Sequence, residues 1–281
     1  MAKRQLGKGT SVTAKNAEFT TFSDLGVLVV GHGTRDSIGQ AQMRSLACQT
    51  AGQLAPLTSQ LGFLELASPT IAEGVARLAA AGVRRMMTVP VLLFRAGHAD
   101  RDIPDAVAAA ALEHGIEVLH QTAPLEHQST LLALSAQRFA DALREADCAS
   151  ATTDRIALAL IARGSSSHTA AEAMLQFARL RVQLTPVGQH AVGYVAVRSP
   201  NVAQTLDWLA STTAEVLVVQ PHLLFEGEVY HGLCEAVQER RAQDHRTWVV
   251  TTPLASAADN FEDTRLAEVL AHLVQKELDT M

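Results

Sequence analysis

The sequence predicts an α/β protein built from two tandem copies of one unit, each a parallel β-sheet covered by helices on both faces. Three observations predict it: the chain matches itself at one constant offset, short continuous apolar runs recur at strand length, and helical stretches alternate with those runs.

The self-match sets the architecture. LGVLVVGHGT, beginning at Leu25, aligns with RIALALIARGSSS, beginning at Arg155, so that Gly33 falls on Gly164 (164 − 33 = 131). FLELASPTIAEGVARL and YVAVRSPNVAQTLDWL bring Ser68-Pro69 onto Ser199-Pro200 at the same offset. VPVLLFRAG around Pro90 meets VQPHLLFEG around Pro221, again 131 apart. Any two α/β units share apolar strands, but not a gap-free order of Ser-Pro and Leu-Leu-Phe signatures, so duplication is the reading.

Each element of the first unit follows from local pattern. Residues 27–30 are continuously apolar, as a buried parallel strand requires. A helix is expected over 38–54 and a second strand over 62–66. Ser68-Pro69 fits a helix start, serine capping and proline pre-set at the first helical position, with Ile71, Val75 and Leu78 spaced on one face. A third strand over 85–94, a helix over 103–113, a fourth strand over 116–119 and a closing helix over 128–145 complete the unit. The small-residue stretch 147–153 reads as the junction. The organisation is therefore a flexible tail at 1–24, a first lobe at 25–147 and a second at 153–281.

Composition narrows the function. Apolar residues at 48% and charged residues at 19% suit a soluble globular protein with a large core. A net charge of −6 and 4% aromatics argue against nucleic-acid partners, which need a basic surface and stacking platforms. No apolar run is long enough to span a bilayer, and the polar start lacks the apolar core of a signal peptide. Cys48, Cys148 and Cys234 lie far apart without C-x-x-C spacing, which suggests a reducing compartment. The cytoplasm is the expected location.

Ligands of open parallel sheets bind outside the carboxyl ends of the strands. His32 falls there, between Gly31 and Gly33, and His98 follows the third strand within Ala96-Gly97-His98-Ala99-Asp100. Glu65 lies at the end of the second strand. Two imidazoles and a carboxylate suit a borderline divalent ion such as Co²⁺, Fe²⁺, Ni²⁺ or Zn²⁺. The second copy is an internal control: His32 becomes Arg163, Glu65 becomes Ala196 and His98 becomes Val229. The scaffold does not need these side chains, and one metal site per chain is expected.

Gly-His-Gly-Thr after the first strand, Phe-Leu-Glu before Ser-Pro, and Val-Pro-x-Leu-Leu-Phe-x-x-Gly-His with Asp-Ile-Pro beyond together resemble the sirohydrochlorin chelatases. The likeness covers most of 25–144 and extends to the second lobe as the degenerate half of the family's long form. It implies two flavodoxin-like or Rossmann-like lobes with a cleft between them, as in class II chelatases. It implies insertion of Co²⁺ or Fe²⁺, with Ni²⁺ also chemically admissible, into a tetrapyrrole without a nucleotide. His32 and His98 match the family's metal-binding catalytic histidines and Glu65 their acidic partner. The short members are symmetric homodimers, so the expectation here is a monomer with an internal pseudo-dimer, higher assembly being left open.

Sirohydrochlorin carries many carboxylates, so arginines should face the cleft. Arg35, Arg95, Arg101, Arg163 and Arg198 lie near strand ends, and Arg163 stands out because it replaces His32. His222, His168 and His231 are weaker candidates, and Asp100 or Asp102 could orient His98, although capping accounts for Asp102 equally well. The other histidines read as surface residues. Two rivals remain: a metal or tetrapyrrole carrier, which uses the same ligands, and a histidine phosphatase. The phosphatase chemistry wants arginine directly before the histidine, where this chain has Gly31.

Overall fold

The fully buried apolar run Leu25–Gly31 forms β1, a central strand of the first sheet. The structure, a computed structural model, describes residues 23–95, 101–126, 128–255 and 264–281. β1 is flanked by β2 (Thr58–Phe63) and β3 (Arg85–Pro90), with β4 (Glu117–Gln121) beyond, all parallel in the order β2-β1-β3-β4. The second sheet repeats this with β5 (Ile156–Ala162), β6 (Gln189–Tyr194), β7 (Val216–His222) and β8 (Thr247–Val250), ordered β6-β5-β7-β8. Even the register repeats, since Val27 faces Ser59 and Leu158 faces His190.

The helices are α1 (Ser37–Leu54), α2 (Ile71–Ala80), α3 (Asp102–His114), α4 (Ser129–Glu145), α5 (His168–Leu184), α6 (Val202–Ser211), α7 (Glu228–Arg241) and α8 (Arg265–Leu278). Their starts are duplicated too. Asp36 caps α1 and Ser167 caps α5, while Thr70 with Glu73 and Asn201 with Gln204 form reciprocal capping boxes at α2 and α6.

Several expected boundaries shift. β2 covers 58–63 rather than 62–66, because an edge strand needs only partial burial and therefore tolerates Thr58, Ser59 and Gln60. The apolar residues Leu64 and Leu66 continue past the strand. Pro69 is not the first residue of a helix: Thr70 supplies the cap, and Ser68-Pro69, like Ser199-Pro200, is a cis peptide in the loop before it. β3 stops at Pro90, and Phe94 beyond it packs on His222 and the core of the second lobe. Asp102 occupies the first turn of α3 and is not its cap, where a carboxylate favours the positive helix end.

The closing helices depart most from a simple pair of lobes. α8 packs on α1 and β3 of the first sheet, and Leu266, Leu270 and Val274 share one core with Val27, Val29 and Val89. α4 reaches α5 and β8, placing Phe139, Ala142 and Leu143 against Leu158, Leu160 and Val218 of the second sheet. Each sheet is thus covered on one face by a helix that follows the other copy's pattern. Polar links run along the same seam: Arg138 donates to the Leu254 carbonyl at 3.1 Å, and His120 lies 3.3 Å from Glu277. Arg181, fully buried in α5, donates to Ser135 of α4 at 3.1 Å and packs on the Phe139 ring at 5.1 Å. Burial lowers its guanidinium to about 10, because desolvation penalises the charged form.

Candidate functional site

β1 ends at Gly31 and leads into His32-Gly33. Gly33 has φ +100°, and a β-carbon there would overlap the Glu65 carbonyl oxygen. Only glycine permits that approach. It lets the two strand-end loops zip together, Leu64 N–H donating to the Gly31 carbonyl at 2.9 Å and Glu65 N–H to the His32 carbonyl at 3.0 Å. The consequence is a side-chain pair, His32 Nε2 lying 3.5 Å from Glu65 Oε1, with side chains 43% and 54% exposed. That separation exceeds a good hydrogen bond. Both side chains are therefore open to solvent, and an imidazole and a carboxylate so placed can together meet an incoming cation.

The second lobe builds the same frame with different side chains. Gly164 has φ +91° and meets the Ala196 carbonyl in the same way. Val195 N–H donates to Ala162 at 2.9 Å and Ala196 N–H to Arg163 at 3.0 Å. Where the first frame holds an imidazole and a carboxylate, the second holds a guanidinium and a methyl.

The two frames line one cavity of about 560 Å³ between the lobes, a volume within the usual range of small-molecule sites. His32, Glu65, Arg35 and Arg163 all reach it. Its apolar lining comes in pairs at the 131-residue offset: Met43 with Met174, Phe63 with Tyr194, and Phe94 with Phe225. In the sequence these pairs carry no mark beyond the shared offset, because apolar residues of strands and helices read as core. His222 also lines the cavity, 2% exposed, its ring 5.1 Å from Phe94 and 4.1 Å from Phe177. Tyr230 is a further lining residue whose hydroxyl is held protonated, its pKa pushed well up by burial. The lobes are joined at the rim by Gln42, which donates to Glu226 Oε1 at 3.1 Å and accepts the Glu226 N–H at 2.8 Å.

Other candidates fall elsewhere. Arg198 directs its guanidinium at the carbonyls of Ser165, Ser166 and Ser167, at 2.6, 3.3 and 2.8 Å, and does not line the cavity. It holds the loop that carries Arg163 rather than reaching towards a ligand. Arg95 is exposed and outside the lining, its backbone N–H donating to Glu126 at 3.2 Å. His168 lies 3.5 Å from Glu172 on the exposed face of α5, and His231 is exposed on α7. His98 and Asp100 lie outside the described residues. Among the described residues no group of three or more metal-binding side chains comes together. The pair His32–Glu65 is what the structure assembles.

These features define a two-lobed α/β protein whose strand-end loops enclose a ligand-sized cleft. The chain belongs to the CbiX family, whose model matches it twice, over residues 26–142 and 157–276. The family expected from the motifs is therefore the family found. Among its relatives, a sirohydrochlorin ferrochelatase of Priestia megaterium is 27% identical over 250 residues, covering 89% of each chain. A sirohydrochlorin cobaltochelatase of the same organism is 23% identical over 217 residues, covering 77% of this chain and 70% of the relative. The fold is shared with the solved structure of SirB from Bacillus subtilis with Fe³⁺, at a TM-score of 0.77 and 21% identity over 90% of this chain and 95% of that one. Among the described residues no helix is long and apolar enough to cross a membrane.

Proposed function

We propose that this chain inserts Co²⁺ or Fe²⁺ into sirohydrochlorin without a nucleotide, serving cobalamin or siroheme biosynthesis in the cytoplasm. The observation that carries the reading is the His32–Glu65 pair, held by the Gly33 frame on one wall of a cavity whose other wall presents Arg163. The sirohydrochlorin chelatases among its relatives support the substrate.

Insertion exchanges two pyrrole N–H protons for one divalent ion, so the site must release a cation and accept two protons. His32 and His98 present the ion through neutral imidazole nitrogens, an incomplete ligand set that leaves room for the incoming pyrrole nitrogens. Glu65 sits within reach of His32 and, being half exposed, takes the two departing protons one after the other as a general base, passing each to solvent. Arg163 and Arg35 meet the peripheral carboxylates by charge-assisted hydrogen bonds. The Met43–Met174 and Phe94–Phe225 pairs supply apolar walls that keep water from the reacting nitrogens.

The test is turnover. Protein in trace amount should convert an excess of sirohydrochlorin to the cobalt or iron product, followed by the absorbance change. A carrier would stop at one equivalent. His32→Ala and His98→Ala should each lose about 10²-fold or more in rate; wild-type rates in both would remove the proposed site.

A further inference from the structure

The chain has two tyrosines, and both line the cavity from the second lobe. Tyr230 is already engaged, its hydroxyl hydrogen-bonded to Cys234 one helical turn on. Tyr194 differs. It ends β6 as the register partner of Ala162, the residue directly before Arg163. Its counterpart at the 131-residue offset is Phe63, which pairs with Gly31 directly before His32. The Tyr194 residue is 6% exposed and shares a core with Leu160, Met174 and Val218. A phenyl ring fills that place equally well in the first lobe, where Phe63 is 1% exposed.

Only the hydroxyl sets Tyr194 apart. Among the described residues no group hydrogen-bonds it, and it is not sealed within the core. A hydroxyl on a buried ring that lines a cavity is a donor the fold leaves unused. Burial pushes its ionisation upward, with the Arg198 charge opposing, so it meets a ligand as a neutral O–H.

The exchange between the two frames defines the ligand group. The first holds an imidazole and a carboxylate beside a phenyl ring, the second a guanidinium and a methyl beside a phenol. Each exchange removes an acceptor or adds a donor, as an anionic partner requires. We propose that Tyr194 is a specificity-determining residue whose hydroxyl donates to a peripheral carboxylate of the tetrapyrrole, on the side of the ring that Arg163 meets; this rests on the function proposed above. A guanidinium and a phenol on paired strand ends fix the macrocycle in direction as well as by charge.

Tyr194→Phe tests this, because it installs the first lobe's own residue. Titration of metal-free sirohydrochlorin, followed by absorbance, should show the dissociation constant raised about tenfold or more, as for one lost hydrogen bond to a charged group. KM should rise with it while kcat holds, because the carboxylates lie away from the reacting nitrogens. The thermal midpoint should match wild type or rise, and Co²⁺ binding without macrocycle should be unchanged. Wild-type affinity in Tyr194→Phe would overturn the inference. So would a loss that tracks a lowered thermal midpoint, or a fall in kcat at constant KM, which would place the hydroxyl at the ring nitrogens. Each of these leaves the proposed function standing. A wild-type protein that neither binds nor converts sirohydrochlorin would overturn both.

Discussion

At His32 and Arg163 one backbone arrangement carries two different chemistries. Both residues follow a fully buried central strand, both precede a glycine at φ near 90–100°, and both have their carbonyls bonded by the next strand's end at 3.0 Å. The first wall adds a carboxylate at 3.5 Å, whereas the second adds Ala196. The comparison teaches that the frame is structural and the side chains it displays are optional. A duplicated unit can therefore keep its geometry while its walls diverge in chemistry, one presenting an imidazole and a carboxylate, the other a guanidinium.

The strongest challenge to that comparison is to break the frame itself. Gly33→Ala and Gly164→Ala each force a methyl onto a carbonyl oxygen at positive φ, and each should cost about 3 kcal/mol or more, read by chemical denaturation. Similar losses in both lobes would uphold the shared frame; a loss in one alone would end it. Next in size is the division of chemistry. Glu65→Gln should lower kcat about 10²-fold at nearly constant KM, while Arg163→Ala should raise KM about tenfold and spare kcat. A mirror-image result would reverse the roles given to the walls.

The cores differ as well. Arg181 lies at the position equivalent to Thr50, so Arg181→Ala should destabilise by about 2 kcal/mol through lost packing on Phe139 and the lost bond to Ser135. Thr50→Ala, which removes a bond to the Leu46 carbonyl, should cost about 1 kcal/mol. Comparable losses would mean that the buried guanidinium adds nothing particular to the second core.

The smallest effect is a pH signature of the second lobe. Arg246, hydrogen-bonded to Asp244 at 2.6 Å, holds that carboxyl at about 2, below its ordinary 3.8. The folded state therefore binds this proton less tightly than the unfolded chain. Its contribution is complete above pH 3.8 and is lost as pH falls through about 2. The pair is partly exposed, so the contribution is about 1 kcal/mol. Asp244→Asn should flatten that part of the acid-denaturation curve. The equivalent of Arg246 in the first lobe is Gly115, which has no such pair to lose.

Much of this was legible in the chain because duplication prints every element twice. The strands, their order of appearance and His32 beside Gly33 follow from short apolar runs and one offset. Boundaries were less legible where a second force competes with pattern: β2 is an edge strand, so its polar start carries no apolar run to mark it. Arg198 sits at a strand end, as a ligand residue would, yet three carbonyls of the neighbouring loop that carries Arg163 engage it, a contact no linear pattern encodes.

The sequence by itself determined the two sheets and the unequal histidine content of their strand ends, since buried parallel strands and glycine turns leave strong local signatures. Tertiary structure alone decided which helix covers which sheet, because α4 and α8 show the same amphipathic pattern whether they fold back or cross over. It also decided that Leu66 and Val197 face outward in strained turns and that Met43, Phe94 and His222 meet in one cavity. Those are consequences of distance between residues far apart in the chain, and periodicity records only what is near.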